Sequence, residues 1–240
     1  NYKKVIEGRF IERPNRFIAI VEVNGSKETC HVKNTGRCKE LLIKGVKVYL
    51  EEHDNPNRKT KYSVIAVQKG NRLINMDSQA PNKVVGEWLK KGNLFSNSKL
   101  IQPEKKYGNS RFDFYVEAYE NSSVQEESLD GASKLRKIFI EVKGVTLEED
   151  NIARFPDAPT ERGLKHIREL TSCLEDGYEA YIIFVIQMKD IIHFEPNHVT
   201  QPAFGEALIE AEQKGVKILG YDCHVERHSL EIRDPVKIVL

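Results

Sequence analysis

A short segment of the chain places a carboxylate and an ammonium group among apolar residues. Residues 138–143 read IFIEVK, and their alternation is typical of a β-strand that turns Glu141 and Lys143 to one face. Charged side chains are seldom left in an apolar strand unless they are paired or take part in chemistry. Asp113 has similar surroundings, because it stands between two phenylalanines in a second predicted strand. On neighbouring strands, the three polar groups would share one patch of sheet.

Asp113, Glu141 and Lys143 are predicted as the catalytic residues of a metal-dependent reaction on phosphate. Two converging carboxylates form an oxygen-rich site that suits Mg²⁺ or Mn²⁺. Such a cation can bridge a scissile phosphate, orient a water molecule and stabilise charge on the leaving oxygen. Lys143 can help to stabilise the charge that develops. The competing interpretation is an ion pair on an exposed edge strand; the apolar setting of Glu141, together with Asp113, favours the metal site.

Other polar residues are candidate neighbours of this site. Glu87 or Glu104 is expected to reach the cation directly or through water, although each alone is also typical of a solvated surface. Gln187 ends a predicted buried strand, where polar groups commonly meet ligands. Asp157 is expected to be a turn residue.

Positive charge is concentrated in the first third of the chain. Residues 1–80 contain 16 Lys and Arg against 9 Asp and Glu, an excess of +7, whereas residues 81–240 contain 21 against 27, a balance of −6. A basic unit suits a polyanion such as DNA, either single- or double-stranded, although uneven surface charge is the plain alternative. The candidate phosphate-binding residues lie beside turns or aromatic residues, or on one helix face: Arg16, Lys33, Asn34, Arg37, Arg58, Lys59, Arg111, Arg162, Lys165 and His166.

The first 80 residues are predicted to form a small β-barrel. Apolar and polar residues alternate over 5–11 and 17–23, and Asn24-Gly25 is a strong hairpin signal. Five short strands, with one short helical turn within 38–43, indicate an OB-like barrel. Barrels of this type often bind single strands through a basic face that carries aromatic residues.

A mixed α/β domain is predicted to follow, so that residues 1–80 form one domain and residues 81–240 the other. Asn82 and Thr160 are expected to cap helices. Residues 180–186 form an apolar run that is typical of a buried central strand.

Several structural classes are disfavoured by the sequence. The longest apolar run is too short to cross a bilayer, and no secretory signal is expected, so we predict a cytoplasmic protein without a membrane partner. The four cysteines include no C-x-x-C pair and are expected to be reduced, which disfavours a zinc knuckle or a redox pair. Residues 120–133 are polar and acidic, and we expect a long mobile hairpin loop there. The sequence leaves the oligomeric state open.

Several motifs resemble those of the sugar fermentation stimulation protein A (SfsA) family. They occur in order over nearly the whole chain: Asn15-Arg16-Phe17, His31-Val32-Lys33-Asn34-Thr35-Gly36-Arg37 with Glu40-Leu41-Leu42, Ser110-Arg111-Phe112-Asp113, Glu141-Val142-Lys143 with Val145-Thr146-Leu147, Phe155-Pro156-Asp157-Ala158, and Arg162-Gly163 with His166 and Glu169-Leu170.

The resemblance implies an OB-fold joined to a PD-(D/E)xK nuclease-like mixed α/β domain, with DNA binding and a regulatory link to sugar metabolism. The nuclease pattern would map onto Asp113, Glu141 and Lys143, and Phe112 stands where the name of that superfamily has proline. Two functions remain open at this point: a Mg²⁺- or Mn²⁺-dependent deoxyribonuclease, and a non-catalytic DNA-binding regulator that uses the nuclease fold as a platform. A scaffold that binds a protein or a metabolite is a third alternative.

Overall fold

The structure is a computed structural model that describes residues 1–34, 36–120 and 134–240. The loop predicted over 120–133 therefore lies, except for Glu120, outside the described residues. The amino-terminal part contains six strands: β1 (Val5–Asn15), β2 (Ile18–Val23), β3 (Ser26–Val32), β4 (Lys47–Glu52), β5 (Tyr62–Lys69) and β6 (Arg72–Asn75).

Five of these strands close a barrel. β1 pairs with β2 and β4, β2 pairs with β3, and β4 pairs with β5. A parallel pairing of β3 with β5 completes the ring, and β6 extends the sheet beyond it by pairing with the second half of β5. Asn24 and Gly25 take the positive φ angles that their hairpin turn requires. The predicted five-stranded OB-like barrel is confirmed.

Alternating side chains fill the interior of the barrel. Ala19, Val21 and Val23 of β2 are buried, whereas Glu22 between them is exposed. After β3, the Leu42 N–H donates to the Cys38 carbonyl at 3.0 Å, as in one turn of a helix.

The remaining strands form two further sheets. The larger has the order β15-β14-β12-β9-β8-β7, and the smaller has the order β10-β11-β13-β16. Their bounds are β7 (Ser98–Tyr107), β8 (Ser110–Tyr119), β9 (Leu135–Val145), β10 (Leu147–Glu149), β11 (Ile152–Phe155), β12 (Glu179–Ile186), β13 (His193–Pro196), β14 (Lys217–Val225), β15 (Leu230–Pro235) and β16 (Lys237–Ile238). β12 runs parallel to both of its neighbours, β9 and β14. Both of its faces are covered, which explains why its sequence is continuously apolar.

Three helices cover the two faces of the larger sheet. α1 (Ala80–Lys90) packs on the face that carries Ile138, Ile140 and Val142 of β9. α2 (Glu161–Ser172) and α3 (Pro202–Gln213) pack on the opposite face, which carries Phe139 and Phe184. Along the described ranges, no helix combines the length and apolar character needed to cross a membrane.

The two predicted helix caps have different outcomes. Thr160 caps α2, because its Oγ1 accepts a hydrogen bond from the Gly163 N–H at 2.9 Å. The predicted cap at Asn82 is wrong, since α1 begins earlier, after Gln79. Pro81 belongs to the first turn of the helix, where its missing N–H costs nothing.

The barrel contacts the α/β part through polar side chains as well as apolar ones. Glu148 is buried and accepts a hydrogen bond from Lys69 Nζ at 2.6 Å. Asp157 Oδ2 accepts from the Cys38 N–H at 2.9 Å, which shows that this turn residue also holds the two parts together. One cluster of buried apolar side chains runs from the barrel to α2 and α3. Because this cluster includes residues of both parts, the division into domains 1–80 and 81–240 stays a prediction.

Candidate functional site

A cavity of about 890 Å³ opens where the ladder between β8 and β9 ends. The last paired residues of that ladder are Phe114 and Ile140. Immediately beyond them, Asp113, Glu141 and Lys143 all line the cavity, and the start of α2 forms another part of its wall. The structure thus brings the three residues predicted as catalytic to one place.

Asp113 is held by hydrogen bonds to both of its carboxylate oxygens. The Val142 N–H donates to Oδ2 at 2.7 Å, and Asn82 Nδ2 donates to Oδ1 at 2.6 Å. Burial, followed by the negative charge of Glu141, raises the pKa of Asp113 to about 6 in spite of these hydrogen bonds. Asn82, which the sequence assigned to a helix cap, therefore positions a carboxylate.

Glu141 is almost fully buried, and its two oxygens have different surroundings. Oε1 accepts from Lys143 Nζ at 2.5 Å and lies 2.6 Å from His166 Nδ1. Oε2 is buried without a hydrogen-bond partner among the described residues. Burial acts to raise the pKa of Glu141, but the contacts with His166 and Lys143 outweigh it, and the pKa lies below its ordinary value. A charged carboxylate with one unpartnered buried oxygen is costly unless a cation or water completes it.

The oxygen ligands of the cavity fit a hard divalent cation. Asp113, Glu141 and Glu104 all line it, and carboxylate oxygens are the ligands that Mg²⁺ and Mn²⁺ prefer. Over the described ranges, no group of three or more His, Cys, Asp or Glu side chains is already assembled as a metal cage. Mg²⁺ keeps several waters and commonly needs only one or two carboxylates. The pair Asp113 and Glu141, with the unpartnered Oε2, meets that requirement.

The two additional carboxylates predicted as metal ligands are placed differently. Glu104 lines the cavity with an exposed side chain, 3.7 Å from Arg111. Glu87 lies in a separate groove between α1 and β15, beside Trp88. Glu87 follows Asn82 by five residues, which rotates its side chain by roughly 140° around the helix axis. It therefore lies on a different face of α1 from the one on which Asn82 contacts Asp113. The prediction that Glu87 reaches the cation is therefore corrected.

Cationic side chains surround the mouth of the cavity. Arg111, Arg162 and Lys165 all line it and are exposed, as a phosphate contact requires. His166 is different, because it is buried and its Nδ1 contacts Glu141. His166 also lines the cavity, but its burial and its contact with Glu141 indicate that it orients this carboxylate, in place of the phosphate contact that the sequence predicted.

Two of the predicted phosphate-binding cations in the barrel are already engaged. Lys33 Nζ lies 3.0 Å from Asp77 Oδ2, and the lysine side chain is only 14% exposed. Arg58 Nη2 donates to Ser63 Oγ at 2.9 Å. These side chains stabilise the barrel, which argues against phosphate contacts from either of them.

The other predicted barrel residues lie at or near the surface. Arg16 and Asn34 line a cleft between the barrel and β9, and Arg37 lines a neighbouring groove. Asn34 also shapes its own turn, because its Oδ1 accepts from the Gly36 N–H at 2.8 Å. Lys59 is exposed in the loop before β5.

Arg13 is an organising residue that no sequence motif indicates. Its guanidinium donates to four backbone carbonyl groups at 2.7–2.9 Å; these belong to Arg16, Asn34, Gly36 and Arg37. Arg13 therefore fixes the segment after β3 against the β1–β2 turn. An arginine within an alternating strand carries no local signal of such a role.

Fold and site together define a class of protein: a closed five-stranded barrel followed by a mixed α/β domain that holds two carboxylates and a lysine in an open cavity. Two family models match these parts, the SfsA N-terminal OB domain over residues 11–76 and the sugar fermentation stimulation protein RE domain over residues 79–229. The chain belongs to the sugar fermentation stimulation protein family, which confirms the resemblance seen in its motifs.

Relatives match the chain over its whole length. It is 57% identical over 239 residues to a sugar fermentation stimulation protein homolog of Clostridium beijerinckii, covering 100% of this chain and 99% of the relative. It is 59% identical over 239 residues to the homolog of Ruminiclostridium cellulolyticum, with the same coverage. The solved structure of Pyrococcus furiosus SfsA in complex with Ca²⁺ is similar with a TM-score of 0.84 and 26% identity, covering 99% of this chain and 97% of that one.

Proposed function

We propose that this chain binds DNA and hydrolyses its phosphodiester bonds at the cavity of Asp113, Glu141 and Lys143, with Mg²⁺ or Mn²⁺ as cofactor. The observation that carries the proposal is the buried Oε2 of Glu141, which has no partner among the described residues although the carboxyl group favours its charged form. Lys143 and His166 both contact Oε1. A purely structural ion pair does not explain why Oε2 has no hydrogen-bond partner, whereas a cation site explains it, because the cation would bind that oxygen.

Each residue at the cavity has a task in this proposal. Asp113 and Glu141 would hold the cation, which when bound neutralises phosphate charge and generates a nucleophilic water. Lys143 fixes Glu141 and presents a positive charge where negative charge develops on phosphate. Asn82 and His166 orient the two carboxylates. The Ca²⁺ complex of the Pyrococcus furiosus relative supports the capacity of this fold to bind a divalent cation.

DNA is the proposed partner because exposed cations lie on two adjoining surfaces. Arg111, Arg162 and Lys165 surround the cavity, and Arg16 lines the cleft beside it. Phosphate contacts from such side chains position a strand without reading its sequence. The cytoplasm is the expected setting.

A cleavage assay tests the proposal. Labelled single-stranded, duplex and branched DNA are each incubated with the protein and Mg²⁺ or Mn²⁺. We expect cleavage of at least one form, with a loss of about hundredfold or more in Asp113→Ala, because the cation loses one of its two carboxylate ligands. Asp234→Ala is the matched control, since that side chain is 77% exposed and far from the carboxylates in the sheet.

Two results would count against cleavage at this cavity. One is intact DNA under every condition, and the other is cleavage that Asp113→Ala leaves unchanged. The second result would assign the activity to a contaminant or to another part of the chain.

A non-catalytic DNA-binding regulator is the second candidate function. It is favoured by the short contacts to Glu141 Oε1, since the ion pair with Lys143 and the hydrogen bond with His166 stabilise this carboxylate without a metal ion. The regulatory link to sugar metabolism that the family name carries belongs with this candidate. It predicts DNA binding without cleavage, and a melting temperature that does not respond to Mn²⁺.

A further inference from the structure

A second cavity, of about 400 Å³, lies between the barrel and the carboxyl end of β9. We call it the junction cleft. It adjoins the cavity that contains Asp113, Glu141 and Lys143, because Thr160 lines both. In addition, Gly144 lines the junction cleft and directly follows Lys143 in β9. Its volume is within the range of roughly 300–1,000 Å³ that is usual for small-molecule sites.

Gln187 presents a hydrogen-bond acceptor to this cleft. The residue is 1% exposed, and its Nε2 donates to Asn75 Oδ1 at 2.8 Å and to the Asp77 carbonyl at 3.1 Å. The Asp77 carbonyl can only accept, and Asn75 Oδ1 is held as an acceptor by the Asp77 N–H, so the Gln187 amide group cannot turn over without losing both hydrogen bonds. Its Oε1 is therefore fixed on the other side, and none of the described residues donates a hydrogen bond to it.

Gly144 leaves room for that oxygen. A Cβ atom at this position would lie 2.7 Å from Gln187 Oε1 and 2.7 Å from Pro81 Cγ. Any other residue would displace the glutamine or the start of α1. The absence of a side chain thus keeps both the acceptor and the floor of the junction cleft in place.

The remainder of the junction cleft combines apolar side chains with polar and charged ones, which include Asp157, Arg154 and Arg16. Leu147, Phe155 and Ala158 contribute apolar surface. Arg16 is exposed and forms no ion pair with any described residue; its guanidinium lies over the Phe17 ring, 4.8 Å from the centroid. These features fit a ligand with three parts. A planar ring would pack on the apolar side chains, a hydrogen-bond donor on the edge of the ring would meet Gln187 Oε1, and an attached anionic chain would meet Arg16.

We propose that the junction cleft binds an unpaired nucleobase of the DNA strand whose phosphate lies at Asp113 and Glu141. This inference rests on the proposed function and names its substrate class as DNA with at least one unpaired base beside the scissile phosphate. The base would lie against the apolar walls and donate a hydrogen bond to Gln187 Oε1, while Arg16 contacts a neighbouring phosphate. Adenine, cytosine, guanine and thymine all carry an N–H group on their pairing edge, so one acceptor does not distinguish among them.

The experiment compares two single-stranded oligomers of equal length, one an oligothymidylate and the other an abasic strand with the same phosphates. Binding is measured by fluorescence anisotropy with EDTA at low salt, so that no cleavage occurs. We expect the wild type to bind the oligothymidylate about five- to hundredfold more tightly, the range that one base–protein contact provides. Equal affinities would overturn the inference and leave DNA binding through phosphates intact. If neither strand binds, the proposed function itself fails.

Variants locate the base contact. Ala158→Phe fills the junction cleft and Gln187→Met removes the acceptor; both are expected to lose most of the preference for the oligothymidylate while keeping their affinity for the abasic strand. Gln213→Met, at an exposed position at the end of α3, is the matched control. If Gln187→Met destabilises the contact between the barrel and the α/β part, Ala158→Phe still tests the junction cleft. If both variants keep the full preference and Phe17→Ala loses it, the base stacks on the barrel and the assignment to the junction cleft is overturned.

Discussion

Replacing Asp113 with asparagine is expected to stabilise the metal-free protein near neutral pH. Burial and the nearby charge of Glu141 raise the pKa of this carboxyl group from 3.8 to about 6. The folded chain therefore keeps the proton to a higher pH than the unfolded chain does. The stability that the neutral acid provides is complete below about pH 4, is lost as the pH rises to about 6, and stays lost above that.

The size of the effect follows from the shift in pKa. About two pKa units correspond to at most about 3 kcal/mol, and partial exposure reduces this to about 2 kcal/mol. Asparagine keeps the shape of the side chain, and the Asn82 amide can turn to offer its oxygen to the new amide group, so the contact survives. In a chain of this length each kcal/mol moves the melting temperature by about 2–4 °C, so Asp113→Asn should melt about 4–8 °C higher at neutral pH.

Thermal melts of wild type and Asp113→Asn in EDTA, over a series of pH values, measure this gain. It should shrink as the pH is lowered from about 7 toward 4, and Asp234→Asn, whose side chain is largely exposed, should show little change at any pH. Mn²⁺ should raise the melting temperature of the wild type and not that of Asp113→Asn, by mass action on the folded state. A variant that melts no higher than wild type at neutral pH, or whose gain is independent of pH, would refute the electrostatic reasoning. A wild type indifferent to Mn²⁺ would refute the cation site.

Two further predictions concern the barrel. The logarithm of the DNA affinity should fall linearly with the logarithm of the salt concentration, by about 0.7–0.9 for each phosphate contacted, and Arg16→Ala and Lys59→Ala should each reduce that slope by about one; a titration that is flat in salt would contradict the electrostatic model of binding. Arg13→Lys should lower the free energy of unfolding in urea by about 2 kcal/mol, because one ammonium group cannot replace hydrogen bonds to four carbonyls, whereas Arg9→Lys, which affects a single carbonyl contact, should cost much less.

The fold was largely predictable because it depends on local patterns. Alternation over β2, the Asn24-Gly25 turn and the apolar run of β12 each report the environment of their own residues, and the structure has each element as predicted. The error at Asn82 has a physical origin. Asparagine and proline are both typical of a helix start, and here Pro81 occupies the first turn while Asn82 is used for a contact with Asp113.

The contacts that complete the site were less predictable, because they join residues far apart in the chain. Asp113 and Glu141 stood out as charges in apolar strands. Their partners Asn82 and His166 lie on helices whose polar residues look solvated in sequence, and only the packing of α1 and α2 brings them to the carboxylates. Glu87 was misplaced for the same reason, since its helix face depends on how α1 packs and not on its own sequence.

The contact between the barrel and the α/β part determines where a bound DNA strand would lie relative to the carboxylates. Glu148 is buried at this contact and forms ion pairs with Lys69 at 2.6 Å and with Arg72 at 3.1 Å. Its pKa is held below the ordinary value, although burial alone would raise it, by hydrogen bonds from Lys69 and the Asn151 N–H. Separating the barrel from the α/β part would leave these charges without partners, which is costly. The barrel is therefore held in place, and the distance from its cations to Asp113 and Glu141 is set by the fold. A DNA strand bound to the barrel and to the α/β part would then place a phosphate at a fixed distance from the barrel contacts beside Asp113 and Glu141. We therefore expect the cleavage site to depend on position along the strand and not on base sequence.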